Sequence, residues 1–418
     1  MNRIYMCIDL KTFFASVECV ERDYDPFKVN LVVANPSRGT GAICLAVSPK
    51  MKAQGIPGRC RLRDIPKHIQ YEVALPRMKK YMEYSAKVYS VYLKYISKND
   101  IHVYSIDEAF IDVTNYLSLY DMEAKEFART ILDDIYKETK LTATVGIGTN
   151  LYLAKIALDI TAKHVLDNMG NLDENSYQET LWHHQPLTDF WHMGRGIVKR
   201  LQKYDIHDMY GMAHCDEKIL YKEFGINAEY MIDHAWGREP TTIADIQGYE
   251  PSIHSISHGQ VLFEDYKYED ALLVMKEMVE LKTLDLVSQH LVTDSISLYV
   301  CYSKRNMKET GGSIKIDVRT NSYTLLVKEF ITLFEKTTNK FQPIRRLGIS
   351  FGDVRDEAYE YYDLFTDLES LEEEKRLMKA IVEIKSKYGK NTILKGMNLY
   401  EKATTRERNR LVGGHNAE

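Results

Sequence analysis

The segment IHVYSIDEAFIDV (Ile101–Val113) places two adjacent carboxylates, Asp107 and Glu108, in the middle of a run that otherwise suits buried strands. Such a run predicts a hairpin of two short strands with the acidic pair near its tip. Acidic residues are common on solvated hairpin tips. The pair therefore indicates chemistry only if other residues of the chain reach the same place.

Composition limits what kind of protein this is. A chain of 418 residues that is 44% hydrophobic can bury several cores, so we expect more than one domain. The net charge of −5 gives no global sign of nucleic-acid binding, and any basic surface must be local. Six cysteines without a CxxC pair argue against a disulfide framework or a zinc site. With no apolar run of the roughly 20 residues that a membrane span needs, we expect a soluble cytoplasmic protein with no membrane partner.

The first part of the chain predicts a ferredoxin-like domain. RIYMCIDL (3–10) is typical of a strand that ends near Asp9, and KTFFASVECVER (11–22) has helical spacing. With a Pro-, Gly- and Arg-rich insertion at 26–77 set aside, the predicted order is strand, helix, strand, strand, helix, strand. In that topology the first strand can lie beside the hairpin, so Asp9 can meet Asp107 and Glu108.

The same order of elements is predicted again between about 252 and 355, although no residue-level repeat accompanies it. The two βαββαβ segments are separated by a mostly helical region and a tether. The last fifty or so residues predict an amphipathic helix and a polar tail with a disordered end. The fold class is therefore α+β and multidomain.

Three carboxylates at one sheet edge would repel one another unless a cation lay among them. Oxygen ligands favour Mg²⁺ or Mn²⁺, and two such ions about 4 Å apart stabilise the attacking and leaving oxygens of phosphoryl transfer. The residues alone thus predict a metal-dependent enzyme that acts on phosphates.

Four motifs resemble those of the Y-family DNA polymerases, the translesion enzymes, and occur in the same order. The resemblance covers roughly residues 1–355, and AVSPKMKAQGI (46–56) is most similar to the UmuC and UvrX branch. The four motifs are DLKTFFASVE (9–18), YSIDEAFID (104–112), VGIGTNLYLAKIA (145–157) and MGRGIVKRLQKYDI (193–206).

The resemblance implies a right-hand polymerase that copies damaged templates with low fidelity in DNA repair and SOS mutagenesis. It implies primer–template DNA, an incoming dNTP and accessory mutagenesis proteins as partners. The implied domains are a ferredoxin-like palm (1–25 and 78–165), small fingers (26–77), a helical thumb (166–240), a tether (241–252), a little finger of ferredoxin-like topology (253–355) and a C-terminal tail (356–418).

The resemblance also assigns metal ligands. Asp9 and Asp107 would bridge two Mg²⁺ ions, for which Mn²⁺ substitutes, and Glu108 would hold the catalytic ion. The backbone carbonyl of Leu10 would complete the nucleotide-side ion. These residues are the expected catalytic site.

Two aromatic residues are expected at the nucleotide. Phe14 falls at the family's steric-gate position, where an aromatic ring under the sugar leaves no room for a 2′-hydroxyl. Phe13, the other member of the pair, lies on the same helix and is expected to pack in the core of the domain.

Two lysines are candidates for the incoming triphosphate, although an ordinary surface lysine would give the same pattern. Lys52 matches the family's basic residue, while Pro49 stands where many members have Tyr. Lys163 is the second candidate, with a spacing from Lys155 one residue longer than the common pattern. Lys11 stands two residues after Asp9, at a position where many members of the family have Asp or Asn.

DNA contacts are expected in two regions. HMGRGIVKRL (192–201) resembles a helix-hairpin-helix turn in which Gly194 and Gly196 let backbone amides approach a phosphate. Residues 300–350 hold ten basic and four acidic residues, which suits DNA backbone, although a solvated strand would look the same. In SIKIDVRT (313–320) the charges alternate with apolar residues and are expected on one solvent face. The expected phosphate contacts are Lys304, Arg305, Lys315, Arg319, Arg345 and Arg346.

YEYYDLF (359–365) resembles the short motif by which bacterial polymerases bind the sliding clamp. Leu364 and Phe365 would be the pocket-filling anchors, and Tyr361 stands where the motif usually opens with Gln. The sliding clamp is therefore an expected partner.

Two rival functions remain at this point. A nucleotide cyclase also uses carboxylates on a ferredoxin-like domain, but it needs neither a thumb nor a basic second domain. A catalytically silent DNA-binding protein would keep the basic surfaces and lose metal ligands, whereas all three carboxylates are present here.

Overall fold

The computed structural model describes residues 3–251, 254–303, 307–364 and 366–418, which divide into two compact units. The first unit runs to Tyr249 and includes Ala417–Glu418, and the second spans Glu250–Asn416. No described helix combines the length and the hydropathy that crossing a bilayer requires.

The first unit mixes strands and helices. Its elements in chain order are β1 (Tyr5–Leu10), α1 (Phe13–Val20), β2 (Leu31–Val33), β3 (Ala46–Val47), α2 (Pro49–Ala53), β4 (Glu72–Ala74), α3 (Met78–Tyr92), β5 (Ile101–Val103), β6 (Glu108–Asp112), α4 (Thr114–Tyr120), α5 (Ala124–Thr139), β7 (Ala143–Gly148), α6 (Leu151–Ile156), β8 (Met169–Leu172), α7 (Glu174–Leu181), α8 (Arg195–Leu201), α9 (Met209–His214), α10 (Glu217–Phe224), α11 (Ala228–Ala235) and α12 (Ile243–Gly248).

The first sheet has the strand order β5-β6-β1-β7-β8. β1 lies between β6 and β7 and is antiparallel to both, which is the ferredoxin-like arrangement predicted from the sequence. Helix α5 packs on this sheet through Phe127, Ile131 and Ile135, which recur at four-residue spacing and are fully buried. β8, from a segment assigned to the thumb, adds a fifth strand parallel to β7.

The insertion after α1 has a core of its own. Strands β3, β2 and β4 form a small sheet whose buried residues include Val32, Cys44, Val47 and Met51. The helices that follow β8 enclose another core, which includes Tyr152, Tyr177, Leu201 and Met231. The segment expected as a tether differs from that expectation, because α12 lies within it and buries Ile243 against the first unit.

The second unit contains a five-stranded sheet, two helices that pack on it and a C-terminal extension. Its elements are β9 (Ile256–Tyr266), α13 (Tyr268–Ser288), β10 (Leu291–Tyr302), β11 (Thr310–Thr320), α14 (Tyr323–Thr337), β12 (Ile344–Gly352), β13 (Arg355–Asp356), α15 (Leu368–Tyr388), α16 (Thr405–Arg408), β14 (Leu411–Val412) and β15 (His415–Asn416).

The second sheet repeats the predicted order of elements with a different order of strands. Its order is β11-β10-β12-β9, so the first strand lies at an edge and pairs with the fourth. In the first sheet the first strand is central. In the second sheet the β10–β11 hairpin pairs with the remaining strands through its first strand, β10. In the first sheet the β5–β6 hairpin does so through its second strand, β6.

The C-terminal extension is ordered. Met378 of α15 packs on Leu284 and Val287 of α13, and the buried Glu277 accepts a hydrogen bond from the backbone N–H of Thr404 at 2.7 Å. The expected disordered end is instead a short hairpin, in which β14 pairs with β15. Gly413 and Gly414, with φ of 58° and 82°, form its turn, because glycine adopts these left-handed angles at no steric cost.

Candidate active site

The predicted acidic residues meet at one edge of the first sheet. Asp9 on β1 lies directly opposite Glu108 on β6, and the backbone N–H of Leu10 donates to the carbonyl of Asp107 at 3.0 Å. The pairing of β1 with β6 thus joins residues that are far apart in sequence. We call Asp9, Asp107 and Glu108 the acidic triad.

Lysines compensate two members of the triad. Nζ of Lys155 lies 2.6 Å from Oε1 of Glu108, and Nζ of Lys163 lies 3.2 Å from Oδ2 of Asp9. Asp107 has no ion-pair partner in the part of the chain that the structure describes, and accepts a hydrogen bond from Oγ of Ser105 at 2.6 Å. The triad therefore keeps an excess of negative charge.

Asp159 connects the two lysines. Its Oδ2 lies 3.1 Å from Lys155 and its Oδ1 lies 2.7 Å from Lys163. A wide π-helical turn, Ala157–Thr161, follows α6 and holds Asp159. Such a turn accommodates one extra residue, which explains why the longer spacing still brings Lys163 to the triad.

Sequence reasoning missed Lys155 and Asp159 as members of the site. The signal was present, because Lys155, Asp159 and Lys163 recur at four-residue intervals and share one helical face. Their ion pairs form a continuous path from Glu108 to Asp9.

The surroundings of the triad shift several pKa values. Burial raises the pKa of Asp9 to about 6, opposed by Lys163 and reinforced by Asp107 and Glu108. Burial likewise raises the pKa of the Cys7 thiol, which donates a hydrogen bond to Glu108 at 3.0 Å. For Lys163 burial favours the neutral amine, but the negative charges of Asp9 and Asp159 outweigh it and raise its pKa.

The donor atoms suit hard divalent ions. The triad supplies carboxylate oxygens and Leu10 a backbone carbonyl, the ligands that Mg²⁺ and Mn²⁺ prefer. Within the described residues, no three acidic, histidine or cysteine side chains are grouped as a ready metal cluster. Lys155 and Lys163 pair with Oε1 of Glu108 and Oδ2 of Asp9, so each of these carboxylates keeps a second oxygen that forms no ion pair among the described residues.

The two phenylalanines of α1 occupy different environments. Phe13 is 2% exposed and belongs to the core, so it does not face a nucleotide. Phe14 is half-buried, and its ring centroid lies 4.7 Å from that of Tyr81 on α3. Of the pair, only Phe14 keeps a substantial part of its surface exposed.

The phosphate-binding candidates lie on separate elements. Lys52 is exposed on α2, and its charge adds to the effect of burial in lowering the pKa of Lys11. Lys11 itself donates a hydrogen bond to Asn168. Pro49 begins α2, with Ser48 as its N-cap, so no aromatic hydroxyl is present at that position.

The glycines of the predicted helix-hairpin-helix flank the start of α8. Gly194 is its N-cap, and Gly196 lies in its first turn. A Cβ added at either position would meet no protein atom within 4 Å. Internal packing therefore does not require glycine there, and the surface is open to an approaching group.

Small residues form the open face of the second sheet, opposite α13 and α14. The register aligns Tyr299 with Gly348 and Ser297 with Ser350, and Arg346 lies on the same face with its guanidinium 5.7 Å from the Tyr299 ring. Lys315, with 73% of its side chain exposed, lies on the adjacent strand of this face. Sequence reasoning identified these cations and missed the small residues around them.

Three expected DNA contacts lie beside acidic residues, and Nζ of Lys315 is 3.6 Å from Asp294. Arg319 is only 11% exposed and forms ion pairs with the buried Asp294 and with Asp353, so its expected position on the solvent face is wrong. The buried carboxylate draws the guanidinium inward. Arg345 remains 43% exposed, 3.5 Å from Asp265. Lys304 and Arg305 lie outside the described residues.

The predicted clamp motif is attached to the edge of β11. The backbone of Tyr361 exchanges two hydrogen bonds with Arg319, at 2.9 and 3.2 Å, and its hydroxyl donates to Asp294. Leu364 is 98% exposed. Phe365 lies outside the described residues.

Known proteins resemble the chain over nearly its whole length. The impB/mucB/samB family model matches residues 8–159, and the model of that family's C-terminal domain matches residues 253–364. The chain is 28% identical to a putative UV-damage repair protein UvrX of Bacillus subtilis (98% of this chain, 97% of that protein). It is 27% identical to DNA polymerase IV 2 of Halalkalibacterium halodurans (99% and 100%).

A solved structure shares the fold. A Y-family DNA polymerase chimera superposes with a TM-score of 0.65 and 19% identity, over 84% of this chain and 99% of the chimera. This likeness confirms the right-hand architecture with palm, fingers, thumb and little finger that was predicted from the motifs.

Proposed function

The chain belongs to the impB/mucB/samB family of Y-family DNA polymerases, and from this premise we propose how it works as a DNA-directed DNA polymerase. The family acts in translesion synthesis and repair, is metal-dependent and binds primer–template DNA with an incoming dNTP. The finer proposal is low-fidelity, template-directed nucleotidyl transfer with two Mg²⁺ ions, for which Mn²⁺ substitutes, in SOS mutagenesis.

The convergence of the acidic triad at one sheet edge carries this proposal. Asp9 and Asp107 would hold both ions, Glu108 the catalytic ion and the Leu10 carbonyl the nucleotide-side ion. When bound, the ions supply positive charge to the attacking and leaving oxygens. Lys155 and Lys163 compensate part of the triad's negative charge before metal ions bind.

The remaining residues act on the substrates. The primer 3′-hydroxyl attacks the α-phosphorus of the incoming nucleotide, and pyrophosphate leaves. Lys52 and Lys163 contact the triphosphate in this proposal, and Phe14 excludes a 2′-hydroxyl. The 26–77 fingers insertion leaves little protein against the nascent pair, which accounts for tolerance of damaged templates.

DNA contacts are proposed without sequence specificity. The open face of the second sheet, with Lys315, Arg345 and Arg346, follows the duplex backbone, and the α8 turn at Gly194 and Gly196 meets a phosphate through backbone amides. Lys304 and Arg305 remain predictions. The domain boundaries also remain predictions, with the palm extended through β8 and the tether shortened by α12.

Three further features belong to the proposal. The sliding clamp binds the segment that ends in Leu364 and Phe365, and accessory mutagenesis proteins assist bypass. The cytoplasm is the proposed location, because all six cysteines are free thiols.

Primer extension on intact and abasic templates tests the activity. Wild type should extend both with Mg²⁺ and deoxynucleotides, whereas the Asp107→Ala, Glu108→Ala double variant should extend neither. Glu179→Ala, which removes an exposed carboxylate from α7, is the control and should match wild type. Extension by the double variant would mean a misplaced active site. No extension by wild type, with clamp and accessory proteins supplied, would favour a non-catalytic DNA-binding protein.

A further inference from the structure

We propose that Tyr81 is a positioning residue for sugar selection, because its ring packs against that of Phe14 and its hydroxyl is anchored by the buried Glu18. The inference rests on the proposed role of Phe14 as the steric gate. It adds a determinant of ribonucleotide exclusion that lies on α3, outside the motif that contains Phe14.

Tyr81 lies on the core side of Phe14. The two ring centroids are 4.7 Å apart with planes inclined by 34°, which is a packed aromatic contact. Tyr81 is fully buried, whereas Phe14 is half-buried. The buried part of Phe14 includes its contact with Tyr81, and Tyr81 occupies space into which the ring would have to move if it were pushed toward the core.

Phe13 is the third ring of this aromatic cluster. Its centroid is 5.6 Å from that of Phe14 and 6.3 Å from that of Tyr81. All three rings pack in the core formed by α1, α3 and the first sheet. A ribose 2′-hydroxyl that pushed on Phe14 would therefore meet a filled core, and close packing resists such displacement.

Glu18 fixes the position of Tyr81. The Tyr81 hydroxyl donates to Oε1 of Glu18 at 2.8 Å. Glu18 is fully buried and also accepts two hydrogen bonds from Arg77, at 3.0 and 2.9 Å, and another from Arg22. A buried carboxylate with charge-assisted partners of this kind is a rigid anchor. It lies one turn beyond Phe14 on α1, so it ties the helix of the gate to the helix that supports it.

Tyr84 provides a matched control on the same helix. It is also buried, at 7% exposure, and its hydroxyl donates to Glu21 of the first unit at 2.9 Å. Within the described residues, however, no ring contact joins Tyr84 to Phe14. Replacing Tyr84 thus removes the same kind of buried side chain and hydrogen bond without removing support from the gate.

Single-nucleotide incorporation tests the proposal. The readout is the ratio of kcat/KM for a dNTP to kcat/KM for the matching rNTP, which a uniform loss of folded protein does not change. Tyr81→Leu and Tyr81→Met remove the flat ring and should each lower this ratio about tenfold or more. Tyr81→Phe keeps the ring and should retain most of the ratio, and Tyr84→Leu should leave it at the wild-type value.

The outcomes separate the inference from the gate assignment. Phe14→Ala is measured in parallel and should lower the ratio at least as far as Tyr81→Leu. If Phe14→Ala leaves the ratio unchanged, the steric gate itself is misassigned. If Phe14→Ala lowers it but Tyr81→Met and Tyr81→Leu do not, or if Tyr84→Leu lowers it equally, Tyr81 has no positioning role. Circular dichroism identifies a misfolded leucine variant, in which case the methionine variant decides.

Discussion

Nζ of Lys163 lies 3.2 Å from Oδ2 of Asp9, across the edge of the first sheet. The π-helical turn Ala157–Thr161 lies between Lys155 and Lys163, and a turn of this kind accommodates one extra residue. The extra residue between Lys155 and Lys163 is thus absorbed in the backbone, and both lysines reach the acidic triad.

Lys163→Ala should raise KM for the incoming nucleotide. A charge-assisted contact of this kind contributes about 1.5–3 kcal/mol, so kcat/KM should fall by about ten- to hundredfold. Steady-state kinetics of single-nucleotide insertion measures the effect. Lys137→Ala removes an exposed lysine from α5 and should behave as wild type. A KM for Lys163→Ala equal to that of the control would remove Lys163 from the nucleotide site.

The first unit followed from its sequence more closely than the second. Apolar spacing and the motif around Asp107 predicted β1, the hairpin and β7, and predicted that β1 lies beside the hairpin, which the pairing of Asp9 with Glu108 confirms. The small sheet of the insertion and β8 were not predicted. The path through Asp159 was missed because the four-residue spacing of Lys155, Asp159 and Lys163 also fits a solvated helical face and does not by itself place that face against the triad. The order of the second sheet was missed because periodicity identifies strands without saying which strand of a hairpin joins the sheet.

Arg319 illustrates a different limit. The alternation of charged and apolar residues along β11 predicted that its charged side chains face solvent, and Lys315 and Asp317 are exposed as expected. The Asp294 carboxylate that holds Arg319 comes from β10, 25 residues earlier in the chain. Alternation within one strand carries no information about such a partner.

Acidification should weaken the fold through Glu18. Burial alone would raise the pKa of Glu18, but hydrogen bonds from Arg77, Arg22 and Tyr81 lower it below the ordinary value of 4.5. A carboxyl whose folded-state pKa is depressed contributes stability above its unfolded pKa and loses it as the pH falls toward the folded value. The urea concentration at the unfolding midpoint of wild type should therefore decrease as the pH is lowered below about 4.5, the ordinary pKa of a glutamate side chain.

Glu18→Gln isolates this effect. At pH 7 it should lower the free energy of unfolding by about 3 kcal/mol, because the arginines lose a buried partner. Below pH 4.5 the difference from wild type should shrink, because the unfolded wild-type carboxyl takes up a proton first and the folded one follows as the pH approaches its lowered pKa. Glu179→Gln, at an exposed position, should show neither effect. A difference that stays constant down to pH 3 would mean that Glu18 does not titrate in this window.

The open face of the second sheet should determine nonspecific DNA affinity. Lys315→Ala and Arg346→Ala should each weaken binding to primer–template DNA of any sequence and reduce the slope of log K against log salt by about 1. Fluorescence anisotropy across a salt series measures both quantities. Lys328→Ala, on the helical side of the same unit, should leave the slope unchanged. Equal slopes for all variants would place the DNA elsewhere.

The segment before α15 should bind the sliding clamp through exposed apolar side chains. Leu364 is almost fully exposed, and the preceding Tyr361 is fixed to β11 by backbone hydrogen bonds, so the anchor extends from a rigid attachment. Leu364→Ala with Phe365→Ala should abolish clamp pull-down while primer extension without clamp stays at the wild-type rate. Leu377→Ala removes another exposed leucine, from α15, and should retain the clamp. Because interface energy concentrates in a few anchors, undiminished binding by the double variant would remove the segment from the interaction.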